Sequence, residues 1–316
     1  MIPYSLRRLA FALFLIVAVA SASLVLARLA PGDYVSGTLG IESRRETIDR
    51  ARARLGLNRS IAEQYRDWIA AAAHLDFGRS LMYDRPVRDL VGERAANTAL
   101  LAVAGLLVAS GIGLPLGIVA GSRRGGWLAA AIRAASLVLL SMPSLLTSLF
   151  LVFVAARTGW LPIAGMRSAT ATDGRVLDLL RHVVVPAAAI GLPLAAIIER
   201  IQAQAMTETL GQPFVLAALA RGVPRSRVVW RAALKAALGP VASVYGLIIG
   251  ALFSGSLAVE VVTAWPGLGS LTIEALRTRD VFLVAGCAGT GAIFLALGTL
   301  VSDLVLAALD PRVREG

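Results

Sequence analysis

One cysteine, one lysine and two histidines are all that this chain of 316 residues offers of the side chains most used in redox, Schiff-base and metal chemistry. A lone Cys287 excludes an intramolecular disulfide, and inside an apolar run it reads as a small packing residue. His74 and His182 are far apart and lack spaced cysteine or carboxylate companions, so no metal site is expected and each reads as an interfacial or loop residue. The only lysine, Lys235, stands in Leu234-Lys235-Ala236, so the G-x-x-x-x-G-K-[ST] loop that cradles nucleotide phosphates is missing. H-E-x-x-H and G-x-S-x-G are missing too. Ser254 with Gly255-Ser256 forms only a small-residue cluster, and Gly289-x-Gly291 sits in an apolar run as a packing feature. Aromatics make up 6% of the chain and do not interleave with its cations, so the net charge of +11 does not point to nucleic acid. The chain is expected to be no enzyme, to bind no cofactor itself and to bind no nucleic acid.

What is present is apolar length. Hydrophobic residues form 57% of the chain, against about 45–50% in soluble domains. Runs long enough to cross about 30 Å of hydrocarbon cover roughly 9–29, 96–121, 127–156, 183–204, 239–262 and 282–308. An all-α, polytopic integral membrane protein with six transmembrane helices follows. The first run could be a signal peptide with Ala20-Ser21-Ala22 as its cleavage site, but it is longer than the usual apolar core and reads as an uncleaved span. Residues 33–95 are polar and helix-prone, with eleven Arg against ten Asp and Glu, which suits an ordered, solvated layer. Within it Arg54-Leu55-Gly56 reads as a helix closed by glycine, and Ile61, Tyr65, Trp68 and Ile69 share one helical face.

Several spans carry irregularities. Asn97-Thr98 opens the second, and Gly117-x-x-x-Gly121 gives it a face for close helix contact, as Gly246-x-x-x-Gly250 does for the fifth. Pro143 falls in the middle of the third and is expected to kink it, either to line a translocation pathway or only to pack against its neighbours. Pro186, Gly191 and Pro193 are expected to make the fourth irregular, after an outer loop at 157–181. The turn Trp265-Pro266-Gly267-Leu268-Gly269, preceded by Glu260, reads as a loop folded back at the membrane edge beside an interfacial tryptophan.

The stretch 211–240 holds the densest cations of the C-terminal half. A short apolar helix from Phe214 to Ala220 runs into Arg221-Gly222, where glycine ends it. Pro224 starts a second helix on which Arg227, Arg231 and Lys235 share one face. Eleven Arg and Lys flank the spans on the side of this loop and of both termini, the last of them Arg312 and Arg314, against six in the short loops opposite. That bias places both termini and the loop in the cytoplasm.

Ala217-Ala218, Gly222 and Pro240 resemble the cytoplasmic EAA loop of ABC-transporter permeases of the dipeptide/oligopeptide (peptide/opine/nickel) importer family. Leu216 departs from it, standing where that family usually has Glu or Arg. Further matches are Leu55-Gly56-Leu57, Gln64-Tyr65, Phe77-Gly78-Arg79-Ser80, the Glu260 to Gly269 stretch, Asp303 and Asp310-Pro311-Arg312-Val313-Arg314. The resemblance covers nearly the whole chain. It implies a first transmembrane helix at 1–30, an external helical segment at 31–95 and a core permease domain at 96–316 with a coupling loop at 205–238. It further implies a bacterial inner-membrane importer subunit, with peptides the default substrate and nickel, glutathione and sugar-derived compounds open. This subunit would pair with a second homologous permease chain, two ATPase subunits that use ATP, and an external substrate-binding protein. Leu216, Ala217, Ala218, Arg221, Gly222 and Pro224 would make the ATPase contact. The alternative is an ion-gradient-driven secondary transporter using Glu199, Glu260 or Asp303, of which Asp303 lies deepest in its apolar run.

Overall fold

A computed structural model describes residues 2–39, 45–123, 125–168 and 175–309, and the only β pairing among them is an isolated bridge from Arg79 to Pro86. The helices are α1 (Ile2–Leu29), α2 (Tyr34–Leu39), α3 (Arg45–Arg54), α4 (Ile61–Ala72), α5 (Val87–Ser122), α6 (Trp127–Ser141), α7 (Ser144–Thr158), α8 (Arg175–Leu210), α9 (Pro213–Ala220), α10 (Arg225–Arg227), α11 (Leu234–Val262), α12 (Leu268–Thr278) and α13 (Val281–Leu309). A π-helical turn, Val228–Ala233, joins α10 to α11, so one uninterrupted rod runs over Arg225–Val262. Among the described residues five helices are long and apolar enough to cross a membrane, and the bent pair α6–α7 makes a sixth if it counts as one span. The all-α, polytopic expectation holds.

Three expectations are corrected. The third span is broken rather than kinked: α6 and α7 meet at 106°. Proline disfavours helical geometry in the residue before it, and Met142 is extended at φ −96°, ψ 113°, so the helix stops and restarts after Pro143. The fourth span is not irregular, because α8 is continuous through Pro186 and Pro193. Packing neighbours hold a helix across such defects, and α8 has them, with 72% of its apolar window buried against 11% to 44% in the other long helices. α8 also begins at Arg175, so His182 lies buried on a helix beside Asp178 at 3.3 Å instead of in a loop.

Contacts divide the chain into two compact units, 1–98 with 266–296 and 99–265 with 297–316, and the backbone passes between them inside α5, at Trp265-Pro266 and inside α13. The second unit is built on α8. Ala187, Ala189, Ile190, Leu194 and Ile198 of α8 share one core with Leu101 and Ala109 of α5 and with Val241, Ile248, Leu252 and Val259 of α11. Its closest seam is a ladder of glycines. A Cβ on Gly113, Gly117 or Gly121 of α5 would stand 2.5, 2.6 or 2.3 Å from the carbonyl oxygens of Ala195, Glu199 and Ala203. Every fourth residue of one helix thus meets every fourth carbonyl of the other, closer than any side chain allows. In lipid, helices gain nothing from hiding apolar surface from each other, so contact at this range is what holds them.

The first unit joins α1 to the polar segment after it. Ala20 and Leu24 of α1 pack with Trp68 of α4 and Ala285 of α13, and Tyr65 Oη shares a hydrogen bond of 3.1 Å with Ser21 Oγ. The helical face of Ile61, Tyr65, Trp68 and Ile69 is therefore real, and Gly56 closes α3 at φ +67°. Asp33 caps α2, accepting from Ser36 N and Oγ at 2.9 and 2.8 Å, and accepts from Arg52 Nε of α3 at 2.6 Å. Phe77–Ser80 is fixed to α13 by the fully buried Asp280, which accepts from Ser80 Oγ at 2.6 Å and Met82 N at 3.2 Å and caps Leu283 N at 3.1 Å.

Both the glycine seam and the Asp33 cap can be tested. Gly117→Leu must force α5 and α8 apart, lowering stability by about 1–3 kcal/mol or more. Gly111→Leu on the same helix, where nothing lies within 4 Å, should leave the thermal midpoint in detergent unchanged. At Asp33 burial opposes ionisation, but the hydrogen bonds from Arg52 and Ser36 outweigh it and hold the carboxyl at about 2. With the folded value depressed, the stabilisation is present above the ordinary carboxylate range of about 4 and lost as pH falls toward 2. Hydrogen exchange of Arg45–Arg54 should therefore accelerate over that window, and Asp33→Asn should remove the pH dependence.

Candidate functional site

The densest group of sequence-selected residues lies where α5 and α8 end. α9 begins with Pro213, whose missing N–H costs nothing at a helix start. It ends in a paired closure, with Gly222 N donating to Leu219 O at 2.9 Å and Val223 N to Ala218 O at 3.2 Å. That closure requires a left-handed residue at position 222, and Gly222 sits there at φ +80°. A Cβ at this position would meet nothing within 4 Å, so the backbone angle alone calls for glycine. Pro224 then caps the start of α10 rather than occupying its first turn.

Val215 is the one buried residue of α9, packed with Ile118 of α5, Met206 of α8, and Val228, Val229 and Ala233 of the π turn. Two hydrogen bonds clamp the surroundings: Thr207 Oγ1 to Gly121 O at 3.2 Å, and Arg225 Nη2 to Ser122 O at 3.0 Å. The remaining surface of α9 is apolar and open. Phe214, Leu216 and Leu219 are 47%, 49% and 38% exposed, Ala217 is exposed and Ala218 half-buried. Around it Arg221, Arg225, Arg227, Arg231 and Lys235 all reach solvent, so the shared cationic face persists through the π turn. Pro240 lies inside α11, and the basic helix and the span behind it are one rod.

The Glu260–Gly269 stretch is not an open loop at the membrane edge. Glu260 and Trp265 are both fully buried, Leu268 is 6% exposed, and the indole fills the core between α5, α8 and α11. The turn works as a helix end that aims the ring inward: Trp265 N donates to Glu260 O at 2.9 Å, with Ala264 left-handed at φ +49°. Beyond it, Asn97 Nδ2 donates to Pro266 O at 2.8 Å and Leu268 N donates to Thr98 Oγ1 at 2.7 Å. Gly267 then caps α12 in extended geometry. Asn97 and Thr98, which sequence marks only as the opening of a span, are the clasp of this turn; two polar residues heading an apolar run are the signal that points to them.

Pro143 is exposed at the break between α6 and α7. Arg124, Asp310, Pro311, Arg312, Val313 and Arg314 lie outside the described residues, as does the side chain of Asp303. Among the described residues no three His, Cys, Asp or Glu side chains group as metal ligands.

Residues 113–315 match the family described as binding-protein-dependent transport system inner membrane component, and residues 1–101 match the N-terminal region of such membrane components. A putative peptide permease protein of Brucella suis biovar 1 is 34% identical over 99% of both chains. The oligopeptide transport system permease protein AppB of Bacillus subtilis is 29% identical over 99% of both. The dipeptide transport system permease protein DppB of Escherichia coli is 30% identical over 100% of this chain and 99% of its own. Among solved structures, an inward-facing form of the MetNI methionine ABC transporter superposes with a TM-score of 0.53 at 18% identity, covering 70% of this chain and 96% of the other, a likeness of fold. Matched by the family model over residues 113–315 and by a 34% identical relative over 99% of both chains, the chain belongs to the binding-protein-dependent transport system inner membrane component family.

Proposed function

We propose that this chain is the permease subunit of an ATP-driven importer of short peptides, coupled through α9 to a separate ATPase. The observation that carries the reading is a seated helix with an open face: α9 buries Val215 alone and offers Phe214, Leu216 and Leu219 outward among exposed cations. A connector between two spans has no use for such a face, whereas a groove on a partner does. Leu216 makes that contact apolar, in place of the charge that the family resemblance leads one to expect there. The relatives named as peptide, dipeptide and oligopeptide permeases support the substrate class.

In this reading the chain itself hydrolyses nothing. Closure of two ATPase subunits displaces α9; the packing of Val215 on Ile118 and Met206 hands the displacement to α5 and α8, and its packing on Val228, Val229 and Ala233 hands it to the rod over Arg225–Val262. A second, homologous permease chain completes the pathway. Residues 31–95 face outward toward a substrate-binding protein, and both termini lie in the cytoplasm of a bacterial cell. Access then switches by rigid-body motion biased from both ends.

Purification of the tagged chain from mild detergent should bring down a second permease chain and P-loop ATPases. Replacing 213–222 by a Gly/Ser linker should release the ATPases and leave the chain inserted. A chain that purifies alone and transports under an ion gradient would overturn the proposal in favour of a secondary carrier.

A finer prediction concerns Gly222. Valine in the left-handed region costs about 1–2 kcal/mol, so Gly222→Val should lower peptide uptake about fivefold or more without loss of membrane insertion. Gly222→Asn, which tolerates that geometry, should retain most uptake.

A further inference from the structure

Two polar side chains deep in α8 have nothing to bond. Glu199 is 2% exposed and Gln202 fully buried, and Glu199 Oε1 with both amide atoms of Gln202 lacks any hydrogen-bond partner among the described residues. Their position is enforced by the glycine ladder. The Glu199 carbonyl lies against Gly117, and the Gln202 side chain would be 2.7 Å from a Cβ there, so α8 has no room to rotate these groups outward. An ionised carboxylate held without a partner at such depth is costly, and ionisable groups inside a membrane face a pathway or a partner.

Glu199 borders two cavities, which give it something to face. One, of about 220 Å³, is apolar, walled by Leu116 of α5, Ile132, Ala135 and Ser136 of α6, and Ala195 of α8. The other, of about 270 Å³, holds Arg133 of α6 with Arg200, Gln204 and Thr207 of α8. Neither Arg133 nor Arg200 makes an ion pair or hydrogen bond with another described residue, and both are exposed. One wall therefore carries a carboxylate short of a cation, and the next carries two guanidiniums short of an anion. Guanidinium pairs bind carboxylates in a fixed fork.

From this juxtaposition we infer that Glu199, Arg133 and Arg200 form an intramembrane subsite for a small zwitterion, its ammonium group on Glu199 and its carboxylate on the two arginines. Each cavity is smaller than an ordinary ligand pocket of about 300–1,000 Å³, which fits a ligand with the two ends of a short peptide and little between them. The inference rests on the importer reading for its substrate class, and it adds a site within the permease itself.

The test is equilibrium binding to the full-length chain, with whatever subunits co-purify, in lipid nanodiscs without ATP. The probes are alanyl-alanine, its N-acetyl form and its C-terminal amide. In the unaltered protein the N-acetyl block should weaken binding about tenfold or more, because it leaves the buried Glu199 without its charge partner, and the amide should weaken it by a smaller factor, because the arginines are exposed. Glu199→Gln should bind alanyl-alanine no better than the N-acetyl form while still rejecting the amide. That retained rejection shows the site intact. Arg133→Gln with Arg200→Gln should show the mirror pattern. The inference is overturned if Glu199→Gln still prefers the free amine, if the unaltered protein binds none of the probes, or if Glu199→Arg combined with Arg133→Glu restores uptake, since the pair would then be an internal ion pair. Failure of the importer reading shows separately, as absence of ATPases from the purified sample.

Discussion

The approach of α5 to α8 at the three carbonyls of Ala195, Glu199 and Ala203 is the constraint from which the membrane core follows. Glycine at 113, 117 and 121 removes the side chains that keep helices apart, so backbone meets backbone over the length of the seam. A second, reciprocal contact extends it: Gly191 of α8 stands against the Gly105 carbonyl of α5, where an added Cβ would be 2.7 Å away. With α5 on one side and α11 on another, α8 has most of its surface taken. That is why it can carry Pro186 and Pro193 without breaking, while the less covered third span breaks at a single proline.

The same constraint decides which residues can be polar. On a lipid-facing helix a glutamate would be driven to the interface; on α8 the fixed rotation leaves Glu199 and Gln202 inside. Period-four glycines are visible in the sequence, but the partner that gives them meaning is not, since the identity of a facing helix is not written locally. From sequence, Glu199 accordingly reads as a residue near a span end. Hydropathy bounds that span at 183–204, whereas helix propensity and packing carry α8 to Leu210.

Legibility follows locality elsewhere as well. The end of α9 at Gly222, the glycine closing α3, and the helical face of Trp68 depend on residues within one or two turns, and they can be read directly. The burial of Trp265 depends on a core drawn from α5, α8 and α11, and the turn that places it shows in the sequence only as Pro and Gly beside an aromatic. Pairings such as Ser80 with Asp280, 200 residues apart, leave no local trace. Resemblance to a family fills part of that gap, since it singles out Phe77–Ser80 and Trp265–Gly269 without saying what holds them.

The coupling proposed for the loop at the ends of α5 and α8 calls for a continuous arm and a seated base. Were Pro240 a hinge, as a helix starting there would make it, motion of the basic helix would dissipate at the membrane surface. Instead the helix is continuous from Arg225 through Pro240 to Val262, so under the proposed coupling a displacement at its start would reach Glu260 and the turn that buries Trp265. The one irregular segment, the π turn at Val228–Ala233, is that base: Val228, Val229 and Ala233 are packed against Val215 and Met206, in the same cluster that seats α9. A π turn places its hydrogen bonds one residue further along than an α-helix, and returning it to α geometry would rotate everything beyond it relative to α9. The π turn is thus the place where the rod touches the helix on which a partner would act.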